Sequence, residues 1–413
     1  MRGPRAALVR MEQAVNSAPI SLLALVLAAG LAPGQPVGTT PSRVLLDLNF
    51  RATPVELISL SATELRARDA EGRALTLPRA SVLAILSRQE GARETPSQED
   101  RVAPAQQPRV RLVDGQVFPG APASEPAAAD FLRWEVPGWG PVTLPLDRVA
   151  SVSLTPLTAS ERAPGATDRV LLSNGDSVEG FVAEVGGVIR IEGERDVTTL
   201  PTDRARGVVF SNPGVPPAGC MLWLVSDVVA AVDSLTVDSA GVCSFVPGFG
   251  EKSAELKTAP FASVRAVVFD SARVRALATI PWASVGPSPG STRRWTPPPI
   301  TGDPARAALF AADIELPGPM TVEWDVPHGA RVLAGDAELP PSCRVWGDCT
   351  LSVRAGDGAV LWEQRLSGEK PEATFRLDLP QGLSRLRMIV DPGANGAVQD
   401  RVVLRAPVML VDP

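Results

Sequence analysis

Short runs of alternating apolar and polar residues recur along most of this chain. Phe131-Leu132-Arg133-Trp134-Glu135-Val136 alternates with period two, and Leu351 with Val353, Phe375 with Leu377 and Leu379, and Leu386 with Met388 each fall on one face. That period predicts half-buried strands of antiparallel sheets. The 35 glycines and 41 prolines punctuate the runs too often for long helices.

One segment is written four times. A proline is followed by apolar residues at offsets four and seven: Pro78 with Val82 and Ile85, Pro145 with Val149 and Val152, Pro201 with Ala205 and Val208, and Pro260 with Val264 and Val267. Two copies open on Val110-Arg111-Leu112-Val113-Asp114-Gly115 and Val170-Leu171-Leu172-Ser173-Asn174-Gly175-Asp176, where Asp-Gly and Asn-Gly suit a hairpin turn. The prolines lie 67, 56 and 59 residues apart. Each interval fits a closed barrel of four or five short strands, with the proline starting the turn into the last strand. Arg148 and Arg204 share one position of the repeat, as do Ser81 and Ser263. Residues 90–108 read as a linker, 121–129 as an alanine and proline insertion, and 285–291 as the main domain boundary.

Beyond Trp295 the chain turns to runs of six to eight residues, at 308–314, 320–326, 350–354, 359–365, 373–379 and 384–390, which predict a jelly-roll sandwich.

Composition narrows the chemistry. The 413 residues include one histidine, His328, and no tyrosine, which removes most routes to histidine-based acid/base catalysis and histidine metal sites. Acidic pairs such as Asp227 with Asp233 and Asp196 with Asp203 are the only motif-free route to hydrolysis. A pI near 5.2, with no basic cluster, excludes general nucleic-acid affinity. Arg2, Arg5 and Arg10 precede an apolar run from Ile20 to Ala32, the layout of a secretory signal peptide, with Met11 as an alternative start. No later run is long enough to span a bilayer, so no integral membrane span is expected after signal cleavage. Four cysteines in two local clusters suggest disulfides Cys220–Cys243 and Cys343–Cys349 in an oxidising compartment, with packed free thiols as the alternative.

Two resemblances follow from these residues. The hydrophobic-x-Leu-x-(Asp/Asn)-Gly openings, a later Gly120 or Gly180 and the closing Val-x-x-Val strand resemble the Sm-like barrel of exported bacterial proteins over 44–270, which implies the fold alone. Leu351 to Glu363 with its Asp357-Gly358 turn, Phe375 to Leu379, Leu383 to Val390 and the loop Asp391-Pro392-Gly393-Ala394-Asn395-Gly396 with Asp400 resemble the NPCBM type of carbohydrate-binding module, a galactose-binding-like sandwich. Arg401 stands where that family has a histidine and Leu404 near the place of its tryptophan. A sugar-binding role needs flat aromatic faces with planar polar partners, so Trp346, Trp362 and Trp324, with Asp348, are the candidates. Trp324 and Trp362 equally suit a core, whereas Trp346 beside Gly347 is the best exposed candidate. Asp391, Asn395 and Asp400 could hold a structural calcium, or serve ordinary turns. No other cofactor is expected.

The chain is thus read as mainly β: signal peptide 1–34; β-barrel repeats 44–88, 109–155, 168–211 and 220–270; linker 285–294; and a galactose-binding-like jelly-roll sandwich 295–413. The expected function is non-catalytic carbohydrate binding in the periplasm or outside the cell. The alternative is a structural or assembly role with envelope-protein partners.

Overall fold

The structure is a computed structural model that describes residues 43–87, 107–123, 128, 130–193, 196–249, 255–287 and 297–412. The export signal, most of the 90–108 linker and Trp295 lie outside the described residues.

The fourfold sequence pattern folds as four antiparallel units. In unit 1 the strand Arg43–Asp47 pairs with Ala52–Leu60 and Val82–Ser87, Ala52–Leu60 pairs with Glu64–Asp69, and Glu64–Asp69 pairs with Ala74–Pro78. The strand order is therefore 5-1-2-3-4. Units 2, 3 and 4 open on Arg109–Leu112, Asp168–Leu172 and Cys220–Leu224 and repeat this scheme, except that the second strand of unit 2 is split into Val117–Pro119 and Ala121–Pro122. Gly120 makes the split: its φ is +143° and an added Cβ would lie 1.9 Å from the Glu135 carbonyl oxygen. Ala121 and Pro122, expected as an insertion, are instead strand residues opposite Glu135 and Trp134.

The repeated proline ends each fourth strand and begins one turn of 3-10 helix, with φ near −60° at Pro78, Pro145, Pro201 and Pro260. The repeated serine has a local purpose. The hydroxyls of Ser81 and Ser263 donate to the carbonyls of Pro78 and Pro260, each at 2.7 Å, and close that turn.

The units join in pairs through their last strands. Val82–Ser87 of unit 1 lies antiparallel to Val264–Val268 of unit 4, and Val149–Ser153 of unit 2 lies antiparallel to Ala205–Val209 of unit 3. Offset-four and offset-seven residues such as Val82, Ile85, Val264 and Val267 belong to the hydrophobic core of the repeat region. Alternate residues of the unit 1 and unit 4 strands, including Leu46, Leu83, Ala266, Val268 and Trp223, form a separate apolar face.

The sandwich packs on that face. Its first sheet runs Ile300–Thr301, Asp313–Pro317, Arg401–Val411, Ala330–Glu338, Glu372–Asp378, with Val274–Ala276 also paired to Arg401–Val411. The second runs Trp282–Pro287, Met320–Asp325, Arg385–Pro392, Asp348–Ala355, Val360–Ser367. Leu333, Leu404 and Met409 face the sandwich core, whereas Val332, Ala334, Val408 and Leu410 face the repeats.

Three expectations are corrected here. Val285, Gly286 and Pro287, placed in the 285–294 linker, pair with Val322, Thr321 and Met320 as a sandwich edge strand; the remainder of that linker lies outside the described residues through 294. The run at 308–314 is a strand only from Asp313: Leu309 and Phe310 have φ of 60° and 58° and are apolar because they are buried between repeats and sandwich. Cys220, Cys243, Cys343 and Cys349 are buried free thiols rather than two disulfides. Burial pushes Cys220 up to about 11 and Cys243 and Cys349 up to about 12, so they sit protonated at neutral pH and pack as small apolar groups.

Candidate functional site

Loops 339–347, 368–371 and 393–400 meet at one end of the sandwich. A turn of 3-10 helix, Pro341–Cys343, brings the first loop around, and the Gly347 amide donates to the Cys343 carbonyl at 2.8 Å. Trp346 is thereby held outward. It is 58% exposed, beside Val345 at 75% and Val398 at 50%.

Its backbone is fixed by the closing loop. The Trp346 amide donates to Gln399 Oε1 at 3.1 Å, and Asn395 Nδ2 donates to the Trp346 carbonyl at 3.0 Å. An exposed aromatic residue is thus anchored through its backbone by two planar amides.

Asp348 organises this frame from beneath. Its carboxylate accepts two bonds from Arg365, Nε at 2.6 Å and Nη2 at 2.8 Å, and one from the Ala394 amide at 2.7 Å. The Gly393 amide donates to the Asp348 carbonyl at 2.6 Å, an approach open only to glycine, since a Cβ there would lie 2.3 Å from that oxygen. The Arg365 guanidinium and the Ala394 amide hold the Asp348 carboxyl below its usual range.

Three site expectations change. Asp348 is 4% exposed and engaged with Arg365, so it positions the loop rather than touching a ligand. Trp324 is fully buried opposite Trp282 and Leu386, a core residue of the second sheet. Trp362 is half-buried against Phe375, ring centroids 5.4 Å apart, and stands opposite Val353, roughly 17 Å along the strand from Asp348. It is not brought together with Trp346. Asp391, Asn395 and Asp400 take part in strand and loop bonding. Asn395 spends its amide nitrogen on Trp346, Asp391 stands on a strand opposite Thr350, and Asp400 Oδ1 accepts from the Asp348 amide at 3.3 Å. Among the described residues no three His, Cys, Asp or Glu converge as metal ligands, and the cation at this loop is Arg365.

Asp227, one of the imagined hydrolytic acids, pairs with Arg306 and with Arg265 at 3.8 Å. Arg148 pairs with Asp114 at 2.6 Å on the wall of a cavity of about 470 Å³ between units 2 and 4, also lined by Asp147, Asp233 and Cys220. His328 is an exposed turn residue. Sequence reading missed Gln399 and Arg365: neither lies in a motif, and only the meeting of three loops gives them a role.

The Asp348 pair sets a pH dependence. A carboxyl held below its unfolded value contributes stability at neutral pH and loses it as pH falls through the folded value. Asp348→Asn should therefore lower the thermal midpoint at pH 7, and the gap to the unaltered chain should shrink below about pH 4. Thermal melts of both proteins across pH check this; a gap independent of pH would refute it.

No known protein-family model and no curated protein matches the chain. Among solved structures, it is similar to CBM51-2, in complex with GlcNAc, and INT domains of Clostridium perfringens ZmpB, at 12% identity and TM-score 0.27 over 46% of this chain and 43% of that one. It is similar to the CBM51 of a Clostridium perfringens GH95 protein in complex with methyl-galactose, at 10% identity and TM-score 0.26 over 33% of this chain and 99% of that one. Tandem CBM51 modules of a Streptococcus pneumoniae family 98 glycoside hydrolase give 11% identity and TM-score 0.27 over 63% and 93%. At these TM-scores the likenesses carry no argument about ligand or activity. Among the described residues no helix is long and apolar enough to cross a membrane.

Proposed function

We propose that this chain is a non-catalytic binding protein of the periplasm or cell exterior that recognises carbohydrate through the Trp346 end of its sandwich. The observation that carries the reading is an exposed indole on a rigid frame: Trp346 is 58% exposed while its backbone is tied on both sides to the loop at 393–400. A pyranose stacks its apolar face on such a ring, and the exposed Asn395 beside it suits its hydroxyls. The apolar run from Ile20 to Ala32 supports export. The repeat units, by strand order and by the 3-10 turn after the proline, are read as Sm-like barrels.

On a glycan array the full chain should retain at least one glycan, and Trp346→Ala should weaken that binding roughly tenfold or more while leaving the thermal midpoint nearly unchanged, because an exposed ring contributes little to folding. Equal binding by both proteins would overturn the reading.

A second reading, assembly through the repeats, has one observation in its favour. Phe181 and Val197, 59% and 60% exposed, stand in one row with Glu192 on the outer face of unit 3, whose strand Val197–Pro201 is unpaired on its far side among the described residues. A chain that ignores every glycan yet sediments as an oligomer would favour it.

A further inference from the structure

The seam between units 2 and 3 is built like the seam between units 1 and 4, yet their outer faces carry opposite chemistry. In the 1–4 pair, Leu46, Ala84, Val268 and Met221 form one row across four strands, apolar and covered by the sandwich. The equivalent row of the 2–3 pair is Arg111, Ser151, Val209, Arg169. In the next row, Val44, Leu86, Ala266 and Trp223 are replaced by Arg109, Ser153, Gly207 and Leu171.

A polar face of this kind would ordinarily lie open to water. This one is closed. Ser151 and Ser153 are 2% and 4% exposed, although only Val152 between them points into the barrel core. The chain after Ser153 folds back over the seam: the Leu154 amide donates to the Arg206 carbonyl at 2.9 Å, Leu157 is buried beside Gly207, and Arg162 donates to the Leu157 carbonyl. Asp303 closes the other side by pairing with Arg111.

Beneath this cover, polar atoms are left over. The hydroxyls of Ser151 and Ser153, Nε of Arg111 and Nε of Arg169 have no hydrogen-bond partner within the protein. Buried groups of this kind are costly to leave unmade. Positive charge is also in excess: burial, then the guanidinium groups of Arg162, Arg109 and Arg306, push Arg111 down to about 9, and burial and Arg109 lower Arg162. Strand spacing puts the Cα atoms of Arg111 and Arg169 about 14 Å apart on either side of Ser151; Nη2 of Arg111 is held by Asp303 and Nη2 of Arg169 by the Ala163 carbonyl, which leaves the Nε of each for a guest.

We propose that this closed face holds a small oxyanion, with the chemistry of sulfate or phosphate, bound by the hydroxyls of Ser151 and Ser153 and the guanidinium groups of Arg111 and Arg169. Four donors of this type match the lone pairs of a tetrahedral anion, and the anion adds to the negative charge that Asp303, Asp227 and Glu161 set against these arginines. The apolar face of the 1–4 pair is covered by protein, and the polar face of the 2–3 pair by loop and anion.

The full chain, dialysed into chloride, is melted with increasing sodium sulfate or sodium phosphate against sodium chloride of equal ionic strength. The expected result is a gain in thermal midpoint that saturates with one or both oxyanions. Ser151→Ala/Ser153→Ala removes only unpartnered hydroxyls, so it should fold normally in chloride and bind the anion roughly tenfold more weakly or worse. Arg169→Gln should also weaken the anion, on top of a stability loss in chloride from its bond to the Ala163 carbonyl, and ion chromatography of the denatured, undialysed protein identifies which anion it carries. A gain that rises linearly with salt and is the same in the serine variant would be general salting-out and would overturn the proposal. So would chloride-dialysed protein that responds to neither anion.

Discussion

Replacing Trp223 with alanine should cost about 3–5 kcal/mol and split the unfolding of the chain into two steps. Trp223 is 1% exposed on the face of unit 4 that meets the sandwich; its ring lies 5.0 Å from that of Phe310, and its Nε1 donates to the Ala305 carbonyl at 3.3 Å. The segment holding Ala305 and Phe310 also ties itself to the repeats through Arg306 with Asp227 and Asp303 with Arg111. Truncating the indole leaves a cavity where the two halves bury their shared apolar surface, while each half keeps its own core. Calorimetry on the full chain checks the outcome. One sharp transition with an unshifted midpoint would show that the contact is not what joins the halves.

Arg43→Ala should destabilise the chain by a comparable amount, about 3 kcal/mol or more, by opening the seam between units 1 and 4. The guanidinium is 2% exposed; it donates to the carbonyls of Val264 and Phe261, each at 2.5 Å, and lies 4.3 Å from the centre of the Phe261 ring. Alanine strands both carbonyls and removes the stacked stem. Lysine offers no planar fork for the same two acceptors, so Arg43→Lys should recover only part of the loss. Burial lowers Arg43 to about 10. The folded state therefore disfavours its charge, and stability gains from this group only as pH rises above that value, leaving no slope near pH 7. Denaturant melts of the two variants test the claim; a loss below 1 kcal/mol for alanine would refute it.

Much of the strand content was legible because half-buried strands write their burial as alternation. Phe375 and Leu377 do so, with Arg376 and Asp378 turned to solvent. The strands Ala330–Glu338 and Arg401–Val411 went unread as strands, though both are central to the first sheet. Both faces of Arg401–Val411 are covered, Met409 toward the sandwich and Leu410 toward the repeats, so the run is mostly apolar and loses its period. A different cause hid the edge strand Trp282–Pro287: it is only partly buried, and its Gly286 and Pro287 read as a break. At the candidate site, Trp346 was legible from its glycine neighbour and turn-rich setting. Asp348 was named for the wrong reason, because a carboxylate facing a ligand and one gripping Arg365 look alike in a sequence.

By itself, the sequence determined that this protein is a succession of β-units, since proline spacing, turn residues and two-residue periodicity act within a few residues of one another. Only the tertiary structure decided which units pair, that unit 1 meets unit 4 and unit 2 meets unit 3, and that one seam is apolar while the other is lined with arginine and serine. Those outcomes depend on faces roughly 60 and 180 residues apart in the chain finding complementary cover, and no local pattern encodes which face will be covered or by what.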